Sequence, residues 1–233
     1  MPRTRPPYPE EFRREAVALI GYSAGGYFAP RAASGEPRIR ACIANTLVVD
    51  CEEAAKAGMK GVTNPTVIDV AFKLIMKINT PARWGFQHAQ WTFGIDKPHE
   101  WPTAYTGFTL KGLEARFTNP MLFLFGEDDI RDAAASTETI VTGLLDFIQA
   151  LPCSRSIHLF SQRDGASSHC QMGGLSYAHA TIFTWLNHVL CGAPAPEIGD
   201  QAAKQKLIDA FGKFGGKQAA HKAAFLVDTI HLI

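Results

Sequence analysis

Apolar residues fall into two rhythms along this chain. Short continuous runs, IRACIANTLVV at 39–49, PMLFLFG at 120–126 and SRSIHLF at 154–160, read as buried strands. PMLFLFG is the clearest, being unbroken and closed by glycine. Between the runs lie stretches with helical spacing, at Gly26–Ser34, Ser136–Leu151 and Tyr177–Leu190. In the second of these, Ile140, Leu144, Leu145, Phe147 and Ile148 form an apolar stripe. Strands alternating with helices predict an α/β domain built on a mostly parallel sheet.

The two ends read differently. MPRTRPPYPE is rich in proline and arginine and forms no regular element, because proline fixes φ and lacks a donor. EEFRREAVALI has a helical composition, with Glu10 and Glu11 suited to a first turn and Phe12, Ala16 and Leu19 roughly on one face. AVALIGYS reads equally as a short buried strand ending in a tight turn, and periodicity does not decide between the two. Beyond Cys191, GAPAPEIGD reads as a linker. Ala203, Leu207, Ala210, Phe211 and Phe214 then mark an amphipathic helix that Gly215 and Gly216 should end.

Residues 51–118 form a long excursion between strands. It concentrates Trp84, Phe86, Trp91, Phe93 and Trp101. Two readings stand. The rings cover an apolar cleft as a cap, with Trp84 and Trp91 beside Tyr22 as substrate contacts, or they pack the excursion onto the body.

Composition narrows the function classes. The chain has 233 residues, 46% of them apolar, with 23 basic against 22 acidic side chains. That near-balance argues against a nucleic-acid binder. No apolar run is long enough to span a membrane, and no secretory h-region precedes a cleavage site. The five cysteines (Cys42, Cys51, Cys153, Cys170, Cys191) are odd in number and contain no CxxC pair. Neither a disulfide framework nor a metal site is expected, and the thiols fit a reducing cytoplasm.

The chemistry lies in three segments. Gly21-Tyr22-Ser23-Ala24-Gly25, extended by Gly26, is a G-x-S-x-G motif, in which a nucleophile sits on a sharp strand-to-helix turn and its flanking positions must be small. Gly126-Glu127-Asp128-Asp129 follows the PMLFLF strand and puts a carboxylate where a triad acid belongs. Asp129 is preferred to Asp128. His169, in DGASSHC, lies in a loop after the strand SIHLF, whereas His158 sits within that strand and His179 and His188 on a helix. Ser23, His169 and Asp129 thus read as nucleophile, general base and orienting acid, with the Ala24 backbone N–H as an oxyanion donor. Against them stand an N-cap role for Ser23 and a thiol nucleophile at Cys170, around which no oxyanion-type turn is evident.

At these residues the chain resembles the α/β-hydrolase superfamily. More narrowly it is similar to the FrsA-like esterases and related carbon–carbon bond hydrolases. The stretches that carry the likeness are GYSAGGYFAPRAA, PRIRACIA, WTFGIDKPHEW, NPMLFLFGEDD and DGASSHCQMGG, over about residues 20–192. The resemblance implies hydrolysis of an ester or a β-dicarbonyl C–C bond through Ser23, Asp129 and His169, without metal or organic cofactor.

The likeness is partial. Family members place several βα units before the nucleophile, at about 30 residues each, and one of their loops donates the second oxyanion N–H. Here 22 residues precede Ser23. The stretch PPYPEEFRREAV instead resembles the start of insertion-sequence transposases. The expectation is a hybrid chain: residues 1–19 transposase-like, 20–192 a partial hydrolase domain with 51–118 as a cap-like insertion, and 193–233 a helical extension. A half sheet of about four parallel strands leaves an unpaired edge. Doubtful activity, an inactive remnant, or self-association through that edge into a homo-oligomer follow as expectations.

Overall fold

The run before the G-x-S-x-G turn is a strand, β1 (Ala18–Tyr22), because its backbone finds a parallel partner in β2 (Ala41–Asn45). Ala18 lies against Ala41 and Tyr22 against Asn45. The structure, a computed structural model, describes residues 18–136, 138–193 and 201–232. The transposase-like stretch and most of the GAPAPEIGD run lie outside the described residues.

Three further parallel strands follow, β3 (Met121–Gly126), β4 (Arg155–Phe160) and β5 (His231–Leu232), in the spatial order β1-β2-β3-β4-β5. β3 and β4 coincide with the apolar runs, β1 lies within AVALIGYS, and β2 is shorter than the run 39–49, stopping at Asn45 where Thr46 turns left-handed (φ 67°). The two-residue β5 carries too little pattern to be read in advance.

Side chains alternate between the two faces of the sheet. Cys42, Ala44, Met121, Phe123, Phe125 and Ile157 join one core, and Ala41, Ile43, Leu122, Leu124 and Phe160 join the other. The first face is covered by α1 (Gly25–Ala33), α7 (Glu138–Ala150) and α9 (Gln201–Leu226), through Tyr27, Leu145, Ile148, Leu207 and Phe211. The second is covered by α8 (Leu175–Cys191), whose Trp185 is 1% exposed and donates from Nε1 to Ser156 Oγ at 3.0 Å.

Residues 201–232 therefore belong to the body. The helix does break at the glycine pair, where Gly216 has φ 77°, but it resumes at once and runs on to Leu226. A further helix, α6 (Glu127–Ser136), starts directly at the end of β3, before the helical stretch that the spacing marks from Ser136. Its first turn is Glu127, Asp128 and Asp129, charges that complement a helix N-terminus.

The 51–118 excursion leaves and returns through an antiparallel bridge between Asp50 and Thr109. It comprises α2 (Cys51–Gly58), α3 (Pro65–Ile78), α4 (Thr80–Phe93) and α5 (Trp101–Ala104). Asn64 caps α3 by accepting from Thr66 N and Val67 N, and Asn79 caps α4 by accepting from Ala82 N. Phe86 and Trp101 pack on each other (5.8 Å) and on Phe72, while Phe108 packs on Phe28 (6.0 Å) and Tyr27 (5.7 Å) of α1. These rings fill the insertion and fasten it to the body. Among the described residues no helix is long and apolar enough to cross a membrane.

Trp185 joins one face of the sheet to its only covering helix among the described residues. Trp185→Ala is expected to lower unfolding free energy by about 3–5 kcal/mol in denaturant titration, and a loss below about 1 kcal/mol contradicts this packing.

Candidate active site

The turn between β1 and α1 forms because two close backbone approaches exclude side chains. A Cβ on Gly21 would meet Gly25 O at 1.8 Å, and one on Gly26 would meet Thr46 O at 1.9 Å. Gly25, by contrast, has open space around it, so the steric need falls at Gly21 and Gly26 and not at both flanks of the motif. Ser23 sits at the apex with φ 55° and is exposed. Its backbone N–H donates to Asn45 O at 3.1 Å, which ties the turn to the end of β2. Ala24, also exposed, is the residue from which α1 starts, so its N–H stands at the helix N-terminus where donors lack intrahelical acceptors.

His169 lies on the loop after β4, and its Nε2 is 2.9 Å from Ser23 Oγ. Its Nδ1 is 2.6 Å from Asp129 Oδ1. The carboxylate only accepts, so Nδ1 carries the proton and the Nε2 lone pair faces the serine hydroxyl, which donates to it. The Asp129 side chain is 10% exposed against 54% for His169. Its second oxygen, Oδ2, accepts from Thr46 Oγ1 at 2.8 Å. The hydrogen bond to Asp129 raises the His169 pKa above the usual imidazole value, burial opposes it, and the charges of Asp129 and Asp132 add to the rise.

The neighbouring acids are otherwise engaged. Glu127 Oε2 accepts from Gln162 N at 2.8 Å, and Asp128 Oδ2 accepts from Ser167 Oγ at 2.9 Å while Oδ1 accepts from Arg131 Nη1 at 2.8 Å. The other histidines have other partners. His158 Nε2 lies 3.1 Å from Tyr177 OH, and burial pushes its pKa down to about 4; His188 Nδ1 lies 2.9 Å from Ala193 O; His179 is exposed on α8. The geometry joins Ser23, His169 and Asp129 and leaves Asp128, His158 and His188 outside that chain of hydrogen bonds. Burial raises the Cys170 thiol pKa, aided by the Asp129 charge and opposed by a bond from the Ser23 backbone.

Tyr22 ends β1 beside Ser23 and is 39% exposed. Trp84 and Trp91 do not join it. They stand 66% and 82% exposed on α4, flanking His88, and neither lines the apolar cavity next to Asp129. The inward side of α4 carries Phe86 and Ala89 instead, so the helix turns its two tryptophans outward. That cavity, about 170 Å³, is bounded by Thr46 and Asp129 and walled by Leu47, Val49, Ile130 and Leu144. Among the described residues no cluster of three or more His, Cys, Asp or Glu side chains is arranged to hold a metal ion.

Asn45, Thr46 and Gln171 are parts of this site that sequence patterning did not single out. Asn45 Nδ2 donates to Gln171 Oε1 at 2.7 Å, and both residues are fully buried. Thr46 (φ 67°), Cys170 (φ 54°) and Gln171 (φ 53°) share the left-handed backbone of Ser23. Such residues cost about 1–3 kcal/mol each and persist where surroundings hold them, typically at functional sites. The advance signal was a polar Asn-Thr pair interrupting the apolar run at 39–49.

A parallel sheet that carries a serine turn, an acid and a histidine in succession at the ends of its strands is the α/β-hydrolase fold. The crystal structure of the 2,6-dihydroxy-pseudo-oxynicotine hydrolase shares it, with a TM-score of 0.53 and 16% identity over 81% of this chain and 44% of that one. In sequence, the chain is 27% identical over 185 residues to the 20-hydroxy-prefusarin hydrolase FUS2 of Gibberella moniliformis, a match covering 74% of this chain and 43% of FUS2. It is 34% identical over 104 residues to hydrolase acrC of Aspergillus aculeatus, covering 40% of this chain and 23% of that protein. The chain thus spans less than half the length of these relatives. No family model matches it.

Two measurements check the site. The His169 imidazole is expected to titrate above the free value of about 6.5 in NMR, and to fall toward it in Asp129→Asn; a wild-type value at or below the free one contradicts the hydrogen bond. Thr46→Val keeps the side-chain shape but removes the donor to Asp129, and should cost about 1.5–3 kcal/mol of stability in denaturant titration. An unchanged unfolding curve contradicts that bond.

Proposed function

We propose that this protein is a serine hydrolase that cleaves an ester or a β-dicarbonyl carbon–carbon bond. The observation that carries the reading is the continuous hydrogen-bonded path from Ser23 Oγ through His169 to Asp129. In this reading Ser23 Oγ attacks the carbonyl carbon while its proton passes to His169 Nε2. Asp129 holds the imidazole in the correct tautomer and stabilises its cation. The negative charge that develops on the carbonyl oxygen is met by the Ala24 N–H. As the tetrahedral adduct collapses, the imidazolium protonates the leaving group, an alkoxide for an ester or an enolate for a dicarbonyl. Water then enters by the same base and releases the acid from Ser23.

The names of the relatives support the hydrolase class, and the fold match supports the architecture. The cavity beside Asp129 is lined by neither Ser23, Ala24 nor His169, so it carries no part of the substrate reading. No metal or organic cofactor enters any step of this scheme.

A second reading, self-association, rests on β1. It ends the sheet, pairs with β2 alone among the described residues, and has Leu19 and Ile20 half-buried. Unpaired edges recruit further strands. Light scattering separates the readings: a well-folded monomer counts against assembly through β1.

A fluorophosphonate probe tests the lead reading. It should label Ser23 and should not label Ser23→Ala, and Asp129→Asn should slow ester hydrolysis by about 10⁴-fold. The rate should fall as pH drops through the raised His169 pKa, because the protonated ring cannot accept the serine proton. Folded protein that takes no label at Ser23 contradicts the reading and leaves an inactive remnant.

A further inference from the structure

Asn45 and Gln171 lie 126 positions apart, yet a 2.7 Å bond joins their buried side chains. Asn45 is the last residue of β2, and its carbonyl also accepts the Ser23 N–H at 3.1 Å. Gln171 stands two residues beyond His169. Its N–H donates to Ser168 O and its carbonyl accepts from Gly174 N, so it is the pivot of the turn that carries the imidazole. That turn is left-handed at both Cys170 and Gln171, a winding that L side chains adopt only when held. One residue of β2 thus grips the serine turn with its backbone and the histidine turn with its side chain.

The chemistry of the pair argues for more than stability. Among the described residues, Asn45 Oδ1 and Gln171 Nε2 have no hydrogen-bond partner. A half-satisfied buried amide pair is a poorer source of stability than apolar side chains of the same shape. We propose that Asn45 and Gln171 are positioning residues whose bond sets the separation of Ser23 Oγ and His169 Nε2, acting on the ring through the Cys170–Gln171 turn. This rests on the reading of Ser23 and His169 as nucleophile and base.

Isosteric replacements test it: Gln171→Met, Asn45→Leu and the double variant, compared with wild type on p-nitrophenyl acetate. His169 is followed by imidazole NMR and assigned with His169→Gln. The groups that bear on its titration are Asp129, Asp132, the Ser23 hydroxyl and the Cys170 thiol. In the double variant, which leaves no unpaired amide, the melting temperature should equal or exceed that of wild type. Its kcat should fall about 10–100-fold, the range expected for a misplaced reacting group. KM should stay within about twofold, as for a group that acts in the transition state alone. The His169 titration and the acid limb of the rate should move down together, toward the free imidazole value.

An unchanged kcat overturns the proposal. So does a kcat that falls only with the folded fraction while the His169 titration stays put, or a double variant that does not fold. Failure of the hydrolase reading is separate: wild type would then take no fluorophosphonate at Ser23, while the His169 titration in the variants would still report whether the pair positions the ring.

Discussion

An imidazole ring accepts or donates in its own plane, one bond at each nitrogen, so the groups that bind it must lie along two fixed directions. His169 meets that demand with Ser23 at 2.9 Å and Asp129 at 2.6 Å, groups drawn from the ends of β4, β1 and β3. β2, the strand between β1 and β3, contributes none of the three but holds all of them. Asn45 takes the Ser23 N–H and the Gln171 side chain, and Thr46 bonds Asp129 while its backbone fills the space a side chain at Gly26 would need. Four parallel strands ending at one rim deliver four loops to one place, and the bonds from β2 fix the distances among them.

The same rim explains where the chain is intolerant. A Cβ on Gly126 would meet Ser167 O at 2.2 Å, so the end of β3 and the histidine loop approach as bare backbones. Gly21 meets the same condition against Gly25 O at 1.8 Å. Backbone cannot yield as a flexible side chain can, so these glycines are fixed by packing. At the far side of the sheet, β1 is stabilised by β2 and α1 and has no outer neighbour among the described residues. The residue offered for chemistry therefore sits on an edge strand, in a chain that spans less than half of its relatives.

Much of this was legible because it is local. The apolar runs that became β2, β3 and β4 are period and composition alone, and G-x-S-x-G carries its turn with it. The strand before Ser23 was ambiguous because AVALIGYS suits either element, and only pairing with β2 decided it. Asp128 and Asp129 are chemically alike. They diverge because α6 begins at Glu127 and turns successive side chains about 100° apart, so one meets Ser167 and the other His169. Trp84 and Trp91 looked like pocket residues by type, yet the insertion buries Phe86, packs the half-buried Trp101 on it, and leaves those two outside. Asn45, Thr46 and Gln171 left almost no trace, since their roles exist only across long separations in the chain.

A crystal structure of the protein with a phenylboronic acid tests the central geometry most directly. The account predicts a tetrahedral boron bonded to Ser23 Oγ, with one boronate oxygen on the Ala24 N–H and His169 Nε2 within hydrogen-bond reach of another. A serine oxygen turned away from the ring, or boron bound elsewhere with Ser23 untouched, would contradict it.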